Sequence, residues 1–429
     1  MILLCIENIA WYNLNGMKIK IKKIPSSLHL RGKTVLVRVD FNTPLHKTPR
    51  GTIVVTDDWR IQQSVSTLTR LSRLGARIVL ISHIGRPDGK VVEGLRMQPV
   101  VKALSKLLPD DIAPVHVHHD WNFDAIRDRI DELDDGDILC LENVRFIAGE
   151  EQNDKNFAKS LAELGDIFVN EAFSVSHRAH ASIHAITRYL PSYAGYRLVE
   201  ELTALEQLTT NPKQPLVVII GGAKVEDKLV LASALTKNAV TVLTGGVVGN
   251  TVLQAMGHHM GRSKVGEKKS VRSLLALSKK KKRSDVFGSV PYLLAPVDVV
   301  VKISGSARYR VVDFEDGDRV RATEIAVDIG PKTVLRYAGY LRGAKTMVWN
   351  GPMGLIEEKP FDISTRALAQ LFASRAKGRA FGVIGGGDLL SVFNSIGMSE
   401  HLDYCSTGGG AMLEYLAGKK LPGVAVLKK

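Results

Sequence analysis

Residues 215–228 read Pro215-Leu-Val-Val-Ile-Ile-Gly-Gly-Ala-Lys-Val-Glu-Asp-Lys228. The short β-branched run predicts a strand, and the glycines that follow let backbone N–H groups approach a phosphate closely. Lys224 and Lys228 are spaced four residues apart, so both ammonium groups would share one face of a helix that starts at the glycines. A strand that runs through glycines into a helix is the unit from which parallel α/β sheets are built.

The same alternation of short β-branched runs with longer periodic stretches recurs along the whole chain. Further runs in the first half begin at Thr34, Arg77, Asp137 and Asp166, and those in the second half at Val240, Tyr292, Lys345 and Ala380. Nearly every run ends in glycine, asparagine or a charged residue, and in open α/β sheets ligands bind at that end of the strands. The pattern predicts parallel sheets with helices on their faces.

A length of 429 residues fits two domains better than one. Residues 191–212 separate the halves, because prolines and a glycine bracket a stretch with helical spacing at 198–210. We predict a first domain at 17–190, an interdomain hinge helix at 191–212 and a second domain at 213–405. Met17 directly precedes an alternating Lys-Ile stretch and is taken as the true start.

Composition excludes several classes of protein. Apolar residues make up 45% of the chain, but no apolar run reaches the roughly 18–20 residues of a membrane span. The three cysteines lie far apart, which argues against disulfides and thiolate metal sites and favours the cytoplasm. The net charge is +14, and part of it lies in a basic run at 268–283. We interpret that run as a solvated helix and loop, because no aromatic residues interleave its lysines to stack on nucleic-acid bases.

The first half places basic and polar side chains at the ends of its predicted strands. The segments are Arg38-Val-Asp-Phe-Asn42, Asp57-Asp-Trp-Arg60, Ser82-His-Ile-Gly-Arg-Pro87, Glu142-Asn-Val-Arg145 and Ser176-His-Arg-Ala-His180. Arginine binds carboxylate and phosphate bidentately and keeps its charge. The set therefore predicts a small ligand that carries both groups, with Asp40 and Asn42 available to its hydroxyls.

The second half repeats an apolar strand followed by glycines. Besides 221–228, the segments are Gly245-Gly-Val-Val-Gly-Asn250, Trp349-Asn-Gly-Pro-Met-Gly354, Gly385-Gly-Gly-Asp388 and Thr407-Gly-Gly-Gly410. Glycine N–H groups and helix N-termini bind phosphates, and one carboxylate such as Asp388 suits Mg²⁺ beside them. Neither a complete P-loop nor a GxGxxG fingerprint is present.

These motifs resemble those of the phosphoglycerate kinase family, in family order, over residues 30–425. The resemblance implies two Rossmann-like parallel-sheet domains (three-layer αβα) joined by a hinge helix, with 406–429 folding back onto the first domain. It implies a reversible phosphoryl transfer from 1,3-bisphosphoglycerate to ADP, giving 3-phosphoglycerate and ATP, by a monomer that needs Mg²⁺ and binds neither membrane nor specific nucleic acid.

The resemblance also assigns site residues. It implies that the acid is held by Arg38, Asp40, Phe41, Asn42, Arg60, His83, Ile84, Gly85, Arg86, Arg145, His177 and Arg178. It implies that the nucleotide is held by Gly222, Ala223, Lys224, Lys228, Gly245, Gly246, Asn350, Gly351, Pro352, Gly354, Glu357 at the ribose, Gly385, Gly386, Gly387, Asp388 and Leu389. Arg60, Lys224 and Lys228 would be catalytic, and Asp388 would hold the metal.

Some positions depart from the family pattern. Leu389 stands where threonine is usual, Ser174-Val-Ser176 replaces Gly-Thr-Ala, Met412 replaces a small residue, and Ile356 replaces phenylalanine. We interpret these as lineage differences, because the charged residues all remain. One alternative is a non-catalytic relative that binds nucleotide or RNA. Another is an acetate or aspartate kinase, which is disfavoured because its substrate needs fewer arginines.

Overall fold

The computed structural model describes residues 11–12, 18–19, 21–235, 241–267, 269–270, 272, 276, 283–285, 288–290, 292–303, 305–306 and 308–428. Met17 lies outside these residues, and so does most of the basic run at 268–283. The described residues up to Thr203 and from Lys420 onward form a first unit, and Ala204–Lys419 form a second. Within the described residues, no helix is both long and apolar enough to cross a bilayer.

The first unit is built on a six-stranded parallel sheet. The strands of the whole unit, including those outside this sheet, are β1 Trp11–Tyr12, β2 Lys18–Ile19, β3 Thr34–Arg38, β4 Leu45–Lys47, β5 Ile53–Val55, β6 Arg77–Ile81, β7 His116–Val117, β8 Ile138–Cys140, β9 Ile167–Asn170 and β10 Ser192–Ala194. The sheet order is β10-β9-β3-β6-β8-β7, while β1 pairs with β2 and β4 with β5 in separate hairpins.

Helices cover both faces of this sheet. They are α1 Trp59–Arg73, α2 Gln98–Leu107, α3 Phe123–Asp131, α4 Ala148–Glu151, α5 Lys155–Ala162 and α6 Tyr196–Thr209, the last of which runs on into the second unit. Alternate residues of β3 point into two separate cores: Val35 and Val37 into one, Leu36 into the other. This period of two in a continuous apolar run is what a strand buried on both faces requires.

The second unit contains another six-stranded parallel sheet, in the order β15-β12-β11-β19-β20-β21. The strands of the whole unit, including those outside this sheet, are β11 Leu216–Ile220, β12 Thr241–Thr244, β13 Arg283–Asp285, β14 Gly288–Val290, β15 Leu293–Leu294, β16 Asp298–Ile303, β17 Tyr309–Asp313, β18 Glu324–Ile329, β19 Thr346–Asn350, β20 Phe381–Gly385 and β21 Tyr404–Ser406. Strands β17-β16-β18 form a smaller antiparallel sheet, and β13 pairs with β14.

The helices of the second unit are α7 Val225–Leu235, α8 Gly246–Ala255, α9 Pro331–Gly343, α10 Ile363–Arg375, α11 Gly387–Ser395 and α12 Gly409–Leu416. A last short helix, α13 Pro422–Ala425, belongs to the first unit, where Lys22 N–H donates to the carbonyl of Leu427 at 2.8 Å. Two parallel sheets, each within an α/β unit, confirm the predicted fold class.

Parallel register brings the glycine segments to one edge of the second sheet. Ile220 pairs with both Thr244 and Asn350, Asn350 pairs with Gly385, and Gly385 with Ser406. These residues are the last of their strands, so the glycines that follow each strand begin at the same sheet edge. Strands β3, β6 and β8 do the same for the basic segments of the first unit.

Candidate active site

Arg38, the last residue of β3, is fully buried. Its Nε donates to the Ser182 hydroxyl at 2.9 Å and its Nη2 donates to Nδ1 of His83 at 3.2 Å. The Ser182 hydroxyl in turn donates to the buried carboxylate of Glu150 at 2.7 Å. Burial lowers the pKa of Arg38 to about 10, although Glu150 and Asp40 oppose that shift. The guanidinium is therefore a charged group held in a fixed orientation.

Asp40 follows two residues later and pairs with Arg60, the second residue of α1. The Ser174 hydroxyl donates to the same carboxylate, and the Asn42 N–H donates to it at 3.1 Å. Burial alone would raise the pKa of Asp40, but the charge of Arg60, with the hydrogen bonds from Ser174 and the Asn42 N–H, outweighs it and lowers the pKa to about 2. Ser174, a departure from the family pattern, is thus part of this arrangement.

This depressed pKa predicts a pH-dependent difference in stability between the wild type and Asp40→Asn. A carboxyl whose pKa falls from its ordinary 3.8 to about 2 on folding stabilises the protein above pH ~4 by about 2 kcal/mol. That contribution is lost as the pH falls from about 4 to about 2. Thermal unfolding should show the variant less stable at pH 6, with the two proteins converging near pH 2.

Asp111→Asn is the matched control, because Asp111 makes an exposed ion pair with Arg73 on the same helix as Arg60. Its unfolding midpoint should follow that of the wild type at every pH. A difference between wild type and Asp40→Asn that stays constant from pH 6 to pH 2 would contradict the prediction.

The buried histidines of the first unit are neutral near pH 7. Burial, with the charge of Arg38 as the next cause, lowers the pKa of His83 well below its ordinary value. Burial and the neighbouring Arg145 lower the pKa of His180 to about 3, so its 3.7 Å approach to Glu150 is not an ion pair. The positive charge near these residues therefore comes from arginine.

Arg145 is almost fully buried and connects two of the basic segments. Its Nη1 donates to the carbonyl of Gly85 at 2.7 Å, and its Nε lies 3.1 Å from the carboxylate of Glu151. Burial is the main cause that lowers its pKa, and Arg178 and Arg86 are close enough to add to the shift. Arg178 Nε donates to His177 Nε2 at 3.2 Å. We call Arg38, Arg60, Arg86, Arg145 and Arg178 the basic cluster.

Three residues that the resemblance assigns to ligands have their side chains in the hydrophobic interior. Phe41 and Ile84 belong to a core of the first unit, and Leu389 is fully buried in the second. Asn42 offers its amide oxygen to the N–H of Gly85 at 2.9 Å. For Phe41, Ile84 and Leu389, only the backbone is available to a ligand.

Lys224 and Lys228 differ in environment. Lys224 precedes α7 and is exposed, whereas Lys228, in the first turn, is buried and donates to the backbone carbonyl of Asn350 at 3.2 Å and to its side-chain oxygen. Burial lowers the pKa of Lys228 to about 8, and Asp227, Asp388 and Lys224 are near enough to affect it. Lys228 thus fixes the end of β19, and Lys224 remains free to meet a ligand.

The glycine segments pack too closely for side chains. At Gly351 φ is +82°, and a Cβ would lie 2.7 Å from Nζ of Lys228 and 2.5 Å from the carbonyl oxygen of Gly221. Beside Gly387, by contrast, the space that a Cβ would take is open, at the start of α11. Asp388, in the first turn of that helix, and Glu357, in the loop after β19, are both exposed. Open N–H groups beside one exposed carboxylate suit a phosphate with its metal ion.

No group of three or more metal-ligating side chains occurs within the part of the chain that the structure describes. A bound Mg²⁺ would therefore take most of its oxygens from a nucleotide and water, which is the usual manner of Mg²⁺ in kinases. The side chains around Asp388 fit that arrangement.

Sequence reasoning missed the residues that hold the basic cluster. Glu150 and Ser182 belong to none of the quoted basic segments, and Ser182 is 144 residues from its partner Arg38. Asn143 lies inside the quoted segment 142–145, but nothing in the sequence shows that its side chain bonds to the carbonyls of Ile84 and Leu95. Met412, another departure, is fully buried with its sulfur against the bare backbone of Gly385.

Arginines at one sheet edge and glycine turns at another suit a protein that binds a small anion and the phosphates of a nucleotide, as enzymes that transfer phosphoryl groups do. The family model for phosphoglycerate kinase matches residues 26–419, and the chain belongs to that family. It catalyses the reversible phosphoryl transfer of glycolysis, from 1,3-bisphosphoglycerate to ADP.

Named relatives agree with this assignment. The phosphoglycerate kinase of Pelotomaculum thermopropionicum is 40% identical over 408 residues, which are 95% of this chain and 99% of that protein. The structure of phosphoglycerate kinase from Coxiella burnetii has a TM-score of 0.78 at 35% identity, covering 95% of this chain and 99% of that one. The crystal structure of phosphoglycerate kinase from Pyrococcus horikoshii has a TM-score of 0.79 at 29% identity, covering 94% of this chain and 98% of that one.

Proposed function

We propose that the basic cluster, with Asp40, Asn42, His83 and His177, binds 3-phosphoglycerate and its bisphosphate. The observation that supports this most is the arrangement around Arg38 and Arg145, which are buried yet charged and oriented by hydrogen bonds. Burying guanidinium groups is costly unless they are paired. Glu150 lies 4.0 Å from the fully buried Arg38 and Glu151 lies 3.1 Å from Arg145, so a doubly anionic acid would meet the more accessible arginines of the basic cluster.

We propose that the nucleotide is bound by the glycine segments after β11, β12, β19 and β20, together with Lys224, Lys228 and Glu357. Lys224 would neutralise charge on the phosphoryl group in transfer, and Lys228 would keep Asn350 and Gly351 in place. Asp388 would hold Mg²⁺, which when bound neutralises charge on the phosphate oxygens. These roles need no covalent enzyme intermediate, because a loose transition state is stabilised mainly by charge and position.

In-line transfer requires the acid and the nucleotide to meet while water is excluded, since an acyl phosphate hydrolyses readily. We propose that the predicted hinge at 191–212, which includes the whole of α6, permits this approach. We further propose that the enzyme acts as a monomer in the cytoplasm.

Asp388→Asn tests the metal assignment. The wild type should phosphorylate 3-phosphoglycerate with ATP in a coupled assay, and the variant should need about tenfold more Mg²⁺ for half-maximal rate, because it loses the carboxylate proposed to hold the ion. Its KM for 3-phosphoglycerate should be unchanged. Asp316→Asn, an exposed carboxylate paired with Lys332 elsewhere in the second unit, is the control.

Two outcomes would overturn these assignments. An unchanged Mg²⁺ requirement in Asp388→Asn would remove that residue from the metal site. A wild-type protein that binds ATP but does not turn over would favour a non-catalytic relative.

A further inference from the structure

Asn143 makes three hydrogen bonds with its side-chain amide, two of them buried and one partly buried. It lies three residues after the end of β8 and is fully buried. Its Nδ2 donates to the carbonyl of Ile84 at 2.8 Å and to that of Leu95 at 3.0 Å, while its Oδ1 accepts from the N–H of Arg145 at 3.1 Å. Both amide hydrogens and the oxygen are therefore in use.

The two carbonyls are the ends of one loop. The chain leaves the first sheet after β6, passes through Gly85 and Arg86, and reaches Leu95 before α2 begins. One side chain thus connects the beginning of this loop to its end. Of the residues that the resemblance assigns to the acid, the loop carries Ile84, Gly85 and Arg86.

Four further hydrogen bonds hold the same loop from the neighbouring strand ends. Gly85 donates its N–H to Asn42 and accepts from Arg145. At the far end, the carboxylate of Glu142 accepts from the N–H of Met97 at 2.8 Å and from Arg96 Nη1 at 3.2 Å. Asn143 is the residue that joins both ends of the loop to the turn that carries Arg145.

We propose that Asn143 is a positioning residue, which closes the loop at 84–95 and orients Arg145 so that Gly85, Arg86 and Arg145 are held ready for the acid substrate. This inference rests on the proposed function of the basic cluster. Its physical basis is that a buried amide is the only neutral side chain with two donors and an acceptor in this geometry. Losing the donors leaves two carbonyls unpaired, at least one of them buried.

Asn143→Asp tests the proposal, because aspartate keeps the oxygen that accepts from Arg145 and replaces the two donors by a second oxygen. We expect the KM for 3-phosphoglycerate to rise at least about tenfold, while kcat and the KM for ATP stay within about threefold. Amide hydrogen exchange should become faster in the loop at residues 85–96 and stay unchanged in the strands of the first sheet.

Asn122→Asp is the matched control. Asn122 also accepts backbone N–H groups at a helix start, from Asp124 and Ala125, but it is exposed and away from the cluster. Its kinetic constants and exchange rates should equal those of the wild type.

If Asn143→Asp does not fold, Glu142→Gln carries the test, since it keeps one oxygen for the N–H groups of Met97 and Asn143 and replaces the oxygen that holds Arg96 at the end of the loop by an NH2 group. It should raise the KM for 3-phosphoglycerate in the same selective way, by a smaller factor.

The proposal is overturned if both KM values and kcat change together, or if the folded variant binds 3-phosphoglycerate as the wild type does. A wild-type protein that fails to bind 3-phosphoglycerate by calorimetry would instead overturn the proposed function itself.

Discussion

Arg60→Ala should lower turnover about a thousandfold while leaving the affinity for ATP within about twofold of the wild type. The side chain of Arg60 is 29% exposed, and its guanidinium is fixed by pairing with the buried carboxylate of Asp40. It can therefore reach a ligand without changing its position. An arginine that stabilises charge in phosphoryl transfer contributes factors of this size. The glycine segments proposed for ATP lie in the other unit.

Two variants separate this role from a structural one. Arg73 lies on the same helix, α1, and makes an exposed ion pair with Asp111. Arg73→Ala should therefore leave turnover unchanged. Arg60→Ala with Asp40→Asn removes both charges, so it avoids a buried unpaired carboxylate and should recover stability without recovering turnover. Wild-type turnover in Arg60→Ala would exclude this arginine from the mechanism.

The sequence was sufficient for most strands of the two parallel sheets and for the sheet edge at which the residues after them lie. Continuous apolar runs such as 216–220 became buried central strands, and the residues after them share one sheet edge. This succeeded because a parallel sheet places every carboxyl end on the same side, whatever the side chains are.

The direction of individual side chains could not be predicted in the same way. Asp40 depends on Ser174, which lies 134 residues away, and no local pattern joins them. The neutral state of His83 follows from burial among arginines, which only the folded chain produces. The spacing of Lys224 and Lys228 predicts one helix face, but α7 starts after Lys224, and the two lysines differ in burial.

That difference in burial predicts separate effects for the two lysines. Lys224→Ala should lower kcat by about a hundredfold to a thousandfold with little change in the unfolding midpoint, because the exposed ammonium is available to charge that develops in the transition state. Lys228→Met should lower the unfolding midpoint as well as activity, since the side-chain oxygen of Asn350 loses its buried donor.

Lys213→Ala is the control for both variants, because Lys213 is an exposed lysine just before β11 in the same unit. The kinetic pattern distinguishes transition-state charge from ground-state binding: a fall in kcat with a nearly constant KM for ATP indicates the former. If Lys224→Ala instead raises the KM for ATP and keeps kcat, this lysine binds the nucleotide alone. The charge on the migrating phosphoryl group must then be neutralised by the arginines of the basic cluster and by Mg²⁺, which would make Arg60 the more important of the two cations.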